Sequence, residues 1–259
     1  MTTDRPPRRS LPTMYDLPSE EVGQPGLPDE YHLRQAQLLT ETFRPTTHPA
    51  ERIFTACDVN LYYDPLHTGY YKRPDWYAVV DVPSLYLGQD MRRSYVLWDE
   101  QVRPLVIVEL LSPGTEDEDL GLRPRRPGEP PTKWEAYAQY VRVPYYVVFD
   151  GATCELRVFR PREGTFVPRR IKDERVWVRE VQLSLGIWRG EYFGCRRAWL
   201  RWRDGEGNWV LTPAEQERAR AEQEKARAEQ EKARADLAER RAAAMAERLR
   251  ALGVDPDDL

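Results

Sequence analysis

Glu109 lies inside Val106-Ile-Val-Glu-Leu-Leu111, an aliphatic run with no polar alternation. Such a run reads as a strand covered on both faces. There, an ionised carboxylate is costly unless it is paired or bound to a metal. Asp75 opens the preceding run, Trp76-Tyr-Ala-Val-Val-Asp-Val. An acid at the start of one strand and another within its neighbour can converge on one hard cation. Pro-Asp is a common strand opening, and Glu109 could instead meet an arginine at its strand's end, so the combination carries the argument. The third candidate, Lys133, stands in the first turn of a helix and projects from the flank of its buried stripe, on the side of Tyr137. Its plain alternative is a solvated lysine at a helix start.

The elements that must position these residues follow from local pattern. Pro74 and Pro104 open the two acid-bearing runs, whose β-branched and aromatic content favours strands. Thr132-Lys-Trp-Glu135 has the Thr-x-x-Glu form of a capping box, with Trp134, Tyr137, Ala138 and Val141 as the stripe behind it. Between Asp119 and Lys133, the run Arg123-Pro124-Arg125-Arg126, further prolines and two glycines exclude regular structure. A helix is expected over about Glu30 to Phe43, with Leu33, Ala36, Gln37 and Thr40 at helical spacing. Asp58 to Tyr63 reads as an early strand, and Tyr145 to Phe149 as a strand turning at Asp150-Gly151 into a partner over Glu155 to Phe159. Strands and turns alternate from there to Trp209, so the fold class is α/β, a mixed β-sheet with flanking helices.

Three domains are expected: a flexible Pro- and Gly-interrupted arm over 1–28, a catalytic domain over 29–211, and a helical tail over 212–259. The tail repeats Ala-Glu-Gln-Glu-(Arg/Lys)-Ala-Arg three times from Ala214, after a second capping box, Thr212-Pro-Ala-Glu215. It reads as one long helix that ends at Gly253 and Pro256. Ala235, Ala238, Ala242, Met245, Leu249 and Leu252 alternate spacings of three and four, the apolar seam of a coiled coil. Self-association as a homodimer through that seam is expected; a lone exposed helix is the alternative.

Composition narrows the function. The three cysteines, Cys57, Cys154 and Cys195, lack paired spacing and read as ordinary small core residues in a reducing compartment. The three histidines never occur at metal-binding spacing, and neither a Gly-rich phosphate loop nor a Gly-x-Ser-x-Gly elbow is present. Zinc hydrolases, P-loop enzymes and α/β-hydrolases are thereby set aside. No apolar run reaches the ~18 residues that span a bilayer, and no apolar segment follows the Arg- and Pro-rich start, so a cytoplasmic protein without membrane contact is expected. Net charge is −4, and Met1 to Thr212 carries 29 basic against 31 acidic residues. Bulk charge therefore gives no support to nucleic-acid binding; local clusters do occur, at Arg92-Arg93, Arg123 to Arg126, Arg169-Arg170 and Arg196-Arg197.

Taken in order, these stretches resemble the Uma-type restriction endonucleases of bacteria, within the PD-(D/E)XK nuclease superfamily. The matching segments are Leu17-Pro-Ser-Glu-Glu, Asn60-Leu-Tyr-Tyr-Asp-Pro65, Arg73-Pro-Asp-Trp-Tyr-Ala-Val-Val80, Ser94-Tyr-Val-Leu-Trp98, Val108-Glu-Leu-Leu-Ser-Pro-Gly-Thr115, Lys133 with Tyr137, and Val143-Pro-Tyr-Tyr-Val-Val-Phe-Asp150. The resemblance implies a metal-dependent endonuclease acting on nucleic acid, DNA above all. Asp75 and Glu109 would be catalytic and ligate Mg²⁺ or Mn²⁺ with help from the Leu110 carbonyl. The superfamily pattern sets a lysine at position 111, where this chain has Leu111, so the catalytic lysine role passes to Lys133. Arg123, Arg125 and Arg126, in a stretch that looks inserted, are the candidates for contact with nucleic acid. A nuclease-fold protein without catalysis, binding or scaffolding through its tail, is the rival reading that Leu111 and the acidic balance motivate.

Overall fold

The computed structural model describes residues 11–13, 16, 29–112 and 116–251. The chain forms two compact units, Met1–Val210 and Leu211–Leu259.

The first unit is built on a mixed six-stranded sheet. Its strands are β1 (Ile53–Ala56), β4 (Trp76–Val80), β6 (Val106–Leu110), β7 (Tyr145–Asp150), β8 (Glu155–Arg162) and β9 (Thr165–Pro168), and they lie side by side in that order. The β6/β7 pair is parallel and every other pair in this sheet antiparallel. Two small sheets accompany it. One joins β2 (Leu61–Tyr62), β3 (Tyr71–Lys72) and β5 (Tyr95–Val96), with β2 in the middle; the other is antiparallel, from β10 (Arg175–Val178), β11 (Leu183–Tyr192) and β12 (Cys195–Arg203). The mixed α/β class is as expected. The early strand is much shorter than Asp58 to Tyr63, because Asp58 takes a left-handed φ of 55° and breaks the extension.

Side-chain alternation divides the core between the two faces of the large sheet. Trp76, Ala78, Val106, Val108, Val147 and Phe149 pack with α1 (Glu30–Thr42) and the β10–β12 sheet. Tyr77, Val79, Ile107, Tyr146 and Val148 pack on the other side against Ala136, Tyr137, Ala138 and Val141. Both acid-bearing strands are buried almost throughout, as their unbroken hydrophobicity requires. In α1 the buried stripe is His32, Gln35, Ala36, Leu38, Leu39 and Thr42, while Leu33 is 46% exposed. The stripe expected from apolar spacing is out of phase because several true members are polar. Gln35 is buried because it bonds both ways to Leu200, its side-chain amide donating to the carbonyl and accepting from the N–H. Of the cysteines, Cys57 and Cys154 are partly buried and Cys195 is exposed in a turn-flanking position, so the small-core reading fails there.

The described helices of this unit are α1 and three short ones, α2 (Leu97–Glu100), α3 (Glu116–Asp119) and α4 (Lys133–Glu135), beside a single 3₁₀ turn at Ala50–Arg52. Thr132 and Glu135 form the capping box on α4. Beyond Glu135 the helix widens into a π-helical stretch, Ala136–Val141, which local pattern does not signal. Pro12 accepts a hydrogen bond from the Trp98 indole; the rest of the arm, apart from Leu11, Thr13 and Asp16, lies outside the described residues.

The second unit is α5 (Pro213–Ala251), 39 residues or about 58 Å of straight helix, opened by reciprocal bonds between Thr212 and Glu215. Arg220 with Glu217 and Arg227 with Glu231 make ion pairs along it. Leu237 and Met245 are 50% and 67% exposed. Leu252 and the Leu249 side chain lie outside the described residues. No described helix is long and apolar enough to cross a membrane.

Candidate active site

The register of two antiparallel strands brings the acids together. Trp76 pairs with Val108 and Tyr77 with Ile107, so one step further Asp75 stands opposite Glu109. Residues 75, 77, 107 and 109 share a parity and hence one face of the sheet. The Asp75 carboxylate accepts from the Leu110 N–H at 2.7 Å, and the Asp75 N–H donates to Glu109 Oε2 at 3.4 Å. Because Ile107 packs under the π-helical stretch, Glu109 also points at that helix.

Glu109 is completely buried. Tyr137 donates its hydroxyl to Oε1 at 2.8 Å, and Lys133 Nζ donates to Oε2 at 3.0 Å. The same ammonium lies 2.9 Å from Asp119 Oδ1, with Asp119 also buried. Lys133 is thus neither solvated nor free-standing; its stem crosses from the first turn of α4 into a pocket of acids. Asp119 Oδ2 is buried with no hydrogen-bond partner among the described residues.

A second pair of contacts ties α3 to α4 and to β3. Glu118 Oε1 accepts the Lys133 backbone N–H at 3.1 Å and the Lys72 ammonium at 2.8 Å. The carboxylate thus satisfies an orphan donor at the start of α4. Adjacent residues of α3 consequently hold Lys133 at both ends, Glu118 at the backbone and Asp119 at Nζ. The loop between them is fitted closely. Gly121 has φ +70°, and a Cβ there would lie 2.6 Å from the Trp134 ring.

Electrostatics follow from burial of several charges in a small volume. Burial pushes the Glu109 carboxyl well above its ordinary range; Lys133 opposes this, while Asp119 and Asp75 add to it. Burial likewise raises Asp75, against the pull of Lys133 and the Leu110 N–H. For Lys133 burial alone would favour the neutral amine, but Glu109, Asp119 and Asp75 outweigh it and hold the ammonium above the usual lysine range. Tyr137 is kept protonated by burial and by Glu109, which suits a hydroxyl that donates to a carboxylate.

Leu110, expected to offer its carbonyl to an ion, presents that oxygen 3.1 Å from His32 Nε2 on α1. His32 Nδ1 lies 2.7 Å from Asp29 Oδ1. Arg123 and Arg125 fold back onto Glu129, through its carboxylate and its carbonyl, and all three loop arginines are exposed. No hydrogen bond or ion pair joins them to Asp75, Glu109 or Lys133 among the described residues.

The family known as Uma2, described as "Putative restriction endonuclease", matches residues 8–191. The chain belongs to the Uma2 family. The Uma2 match takes in Asp75, Glu109, Asp119, Lys133 and Tyr137 and stops within β11. A solved structure described as a putative nuclease belonging to DUF820, from Anabaena variabilis ATCC 29413, is 12% identical with a TM-score of 0.41, covering 63% of this chain and 87% of the other. No curated protein matches the sequence.

Local pattern singled out Asp75, Glu109 and Lys133 but missed Asp119, Tyr137's contact, Glu118, Lys72 and His32. Two signals were present: the run Glu116-Asp-Glu-Asp119, and the four-residue spacing of Lys133 and Tyr137, which puts both on one helical face.

Proposed function

We propose that this chain is a divalent-metal-dependent nuclease that hydrolyses phosphodiester bonds of DNA. The observation that carries the reading is the buried cluster itself. Glu109 and Asp119 both contact the Lys133 ammonium and Asp75 adjoins Glu109, and an additional cation would relieve the cost of ionising these buried acids, which burial raises at Glu109 and Asp75. The unpartnered Asp119 Oδ2 fits the same reading. Among the described residues, no three acidic, imidazole or thiol side chains form a ready-made cage. Mg²⁺ does not need one, since it keeps several waters and is commonly held by one or two carboxylates together with substrate phosphate.

Asp75 and Glu109 would hold Mg²⁺ or Mn²⁺, with Asp119 and the second lone pair of the Leu110 carbonyl adjoining. The bound ion supplies an acidified water and neutralises charge on the phosphate. Lys133 keeps its proton in this site and can direct it at the attacking water or at the phosphoryl oxygens as charge builds there. Leu111 does not remove the lysine function on this reading, because an ammonium reaches Glu109 from α4 instead of from its own strand. Tyr137 fixes the Glu109 carboxylate. The family's description favours DNA as substrate, and the exposed Arg123, Arg125 and Arg126 are available for backbone phosphates.

Titration calorimetry with Mn²⁺ and Mg²⁺ on the full chain, followed by plasmid cleavage, tests the reading. Binding should be lost in Asp75→Ala and in Glu109→Ala, and cleavage with it. Unaltered metal affinity in both variants sinks the enzyme and leaves a non-catalytic binding protein.

A further inference from the structure

A groove of about 510 Å³ opens on the β10–β12 sheet, away from the acid cluster. Strand alternation builds it. Val176 and Val178 go into the core, which turns Arg175 and Trp177 outward, and Trp177 is 42% exposed. Across the sheet Trp177 faces Ser184, and Ser184 faces Arg203. Arg169, Arg170 and Lys172 enter from the segment that follows β9.

The charge there runs against the balance of the whole chain. Arg169, Arg170, Lys172 and Arg175 line the groove with two carboxylates, Asp204 and Glu206, in a protein of net charge −4. Asp204 is engaged in its own turn, accepting from the N–H groups of Glu206 and Asn208. Asp173 approaches Arg175 only at 3.6 Å. Arg170 and Lys172 have no ion pair among the described residues. The Trp177 indole has neither a ring nor a cation against it among the described residues, whereas Trp188 and Trp209 are covered by Arg201 and Arg203.

An uncovered flat indole beside four cations fits a flexible polyanion that carries flat aromatic groups. In single-stranded nucleic acid the phosphates can meet the cations while a base stacks on the indole; in a duplex the base faces are already stacked on one another. We propose that this groove anchors a single-stranded stretch of the nucleic acid on which the enzyme acts, an inference that rests on the nuclease reading above. Arg169 stands 4.6 Å over Tyr145, which lies three residues before Val148, the β7 partner of Glu109. Tyr145 lies on the face of the large sheet that carries the β10–β12 sheet, and Glu109, by its parity with Ile107, on the opposite face, so the groove holds substrate and takes no part in bond breaking.

Fluorescence anisotropy of a labelled oligothymidylate on the full chain tests this. Trp177→Ala should weaken binding about ten-fold. The double variant Arg170→Glu/Lys172→Glu should lower the slope of log affinity against log salt by about one and a half. Duplex affinity should be insensitive to Trp177→Ala, and hydrolysis of bis(4-nitrophenyl) phosphate should be unchanged in both variants. Parent-like oligothymidylate binding in both variants overturns the proposal, as does an equal loss of duplex binding in Trp177→Ala. If the groove variants lose the strand while the parent cleaves no phosphodiester at all, the anchor stands and the nuclease reading falls.

Discussion

Replacing Lys133 by methionine keeps the length of the stem and deletes the charge that three acids share. Its side chain is 16% exposed, and those of Glu109 and Asp119 are 0% and 1%. Breaking a buried pair of this kind by removing one partner costs about 3–5 kcal/mol, because the remaining charge is left uncompensated. Lys133→Met should lose about that much at pH 8. The loss should shrink on acidification. Burial already holds the Glu109 carboxyl above its ordinary range, and without the ammonium that opposes this it rises further. From about pH 4.3, the ordinary glutamate value, up to the raised folded value, the native variant keeps a proton that the unfolded chain has released. Stability therefore falls as pH rises through that window, and the deficit at pH 5 should be smaller than at pH 8. Adding Glu109→Gln removes one of the two buried charges left without the ammonium, so the double variant should regain part of the loss, with Asp119 keeping the remainder. All eight tryptophans precede Thr212, so urea unfolding followed by tryptophan fluorescence reads the first unit alone. A Lys133→Met protein as stable as the parent at pH 8, or one whose deficit grows at pH 5, would refute the reasoning.

Tyr137→Phe strips Glu109 Oε1 of its donor in a fully buried place; a loss of about 1–3 kcal/mol in the same urea assay is expected, and no change would mean that water replaces the hydroxyl. Gly121→Ala combines a left-handed φ with a Cβ driven against the Trp134 ring, so thermal melts should show a loss of about 1–3 kcal/mol; an unchanged Tm would show that the loop shifts freely. For the tail, light scattering should find the full chain dimeric and a chain ending at Thr212 monomeric, if Ala235, Ala238, Ala242 and Met245 act as the apolar seam their spacing suggests; a monomeric full chain, or a truncated form that still dimerises, rules out assembly through α5.

The sequence by itself determined the elements whose cause is local. Continuous β-branched runs gave β4, β6 and β7 because only strands covered on both faces can be so uniformly apolar. Reciprocal Thr-to-Glu bonds opened α4 and α5 where the capping boxes stand. Glu109 was conspicuous for the same reason, as a charge in a place that tolerates none. Its partners were not legible. That Asp75 faces Glu109 depends on the register of β4 against β6, and that Lys133 enters the pocket depends on α3 gripping α4 through Glu118. Asp119 was one acid in an acidic run, and nothing in the run distinguished the residue that is buried from those that are not. The polar half of the α1 stripe was equally hidden, since His32 and Gln35 are buried only because Leu110 and Leu200 offer backbone partners from distant strands. Pattern in sequence reports the demands of a residue on its immediate neighbours; which charges meet is fixed by strand register and helix docking, and these arise only when the whole chain closes on its core.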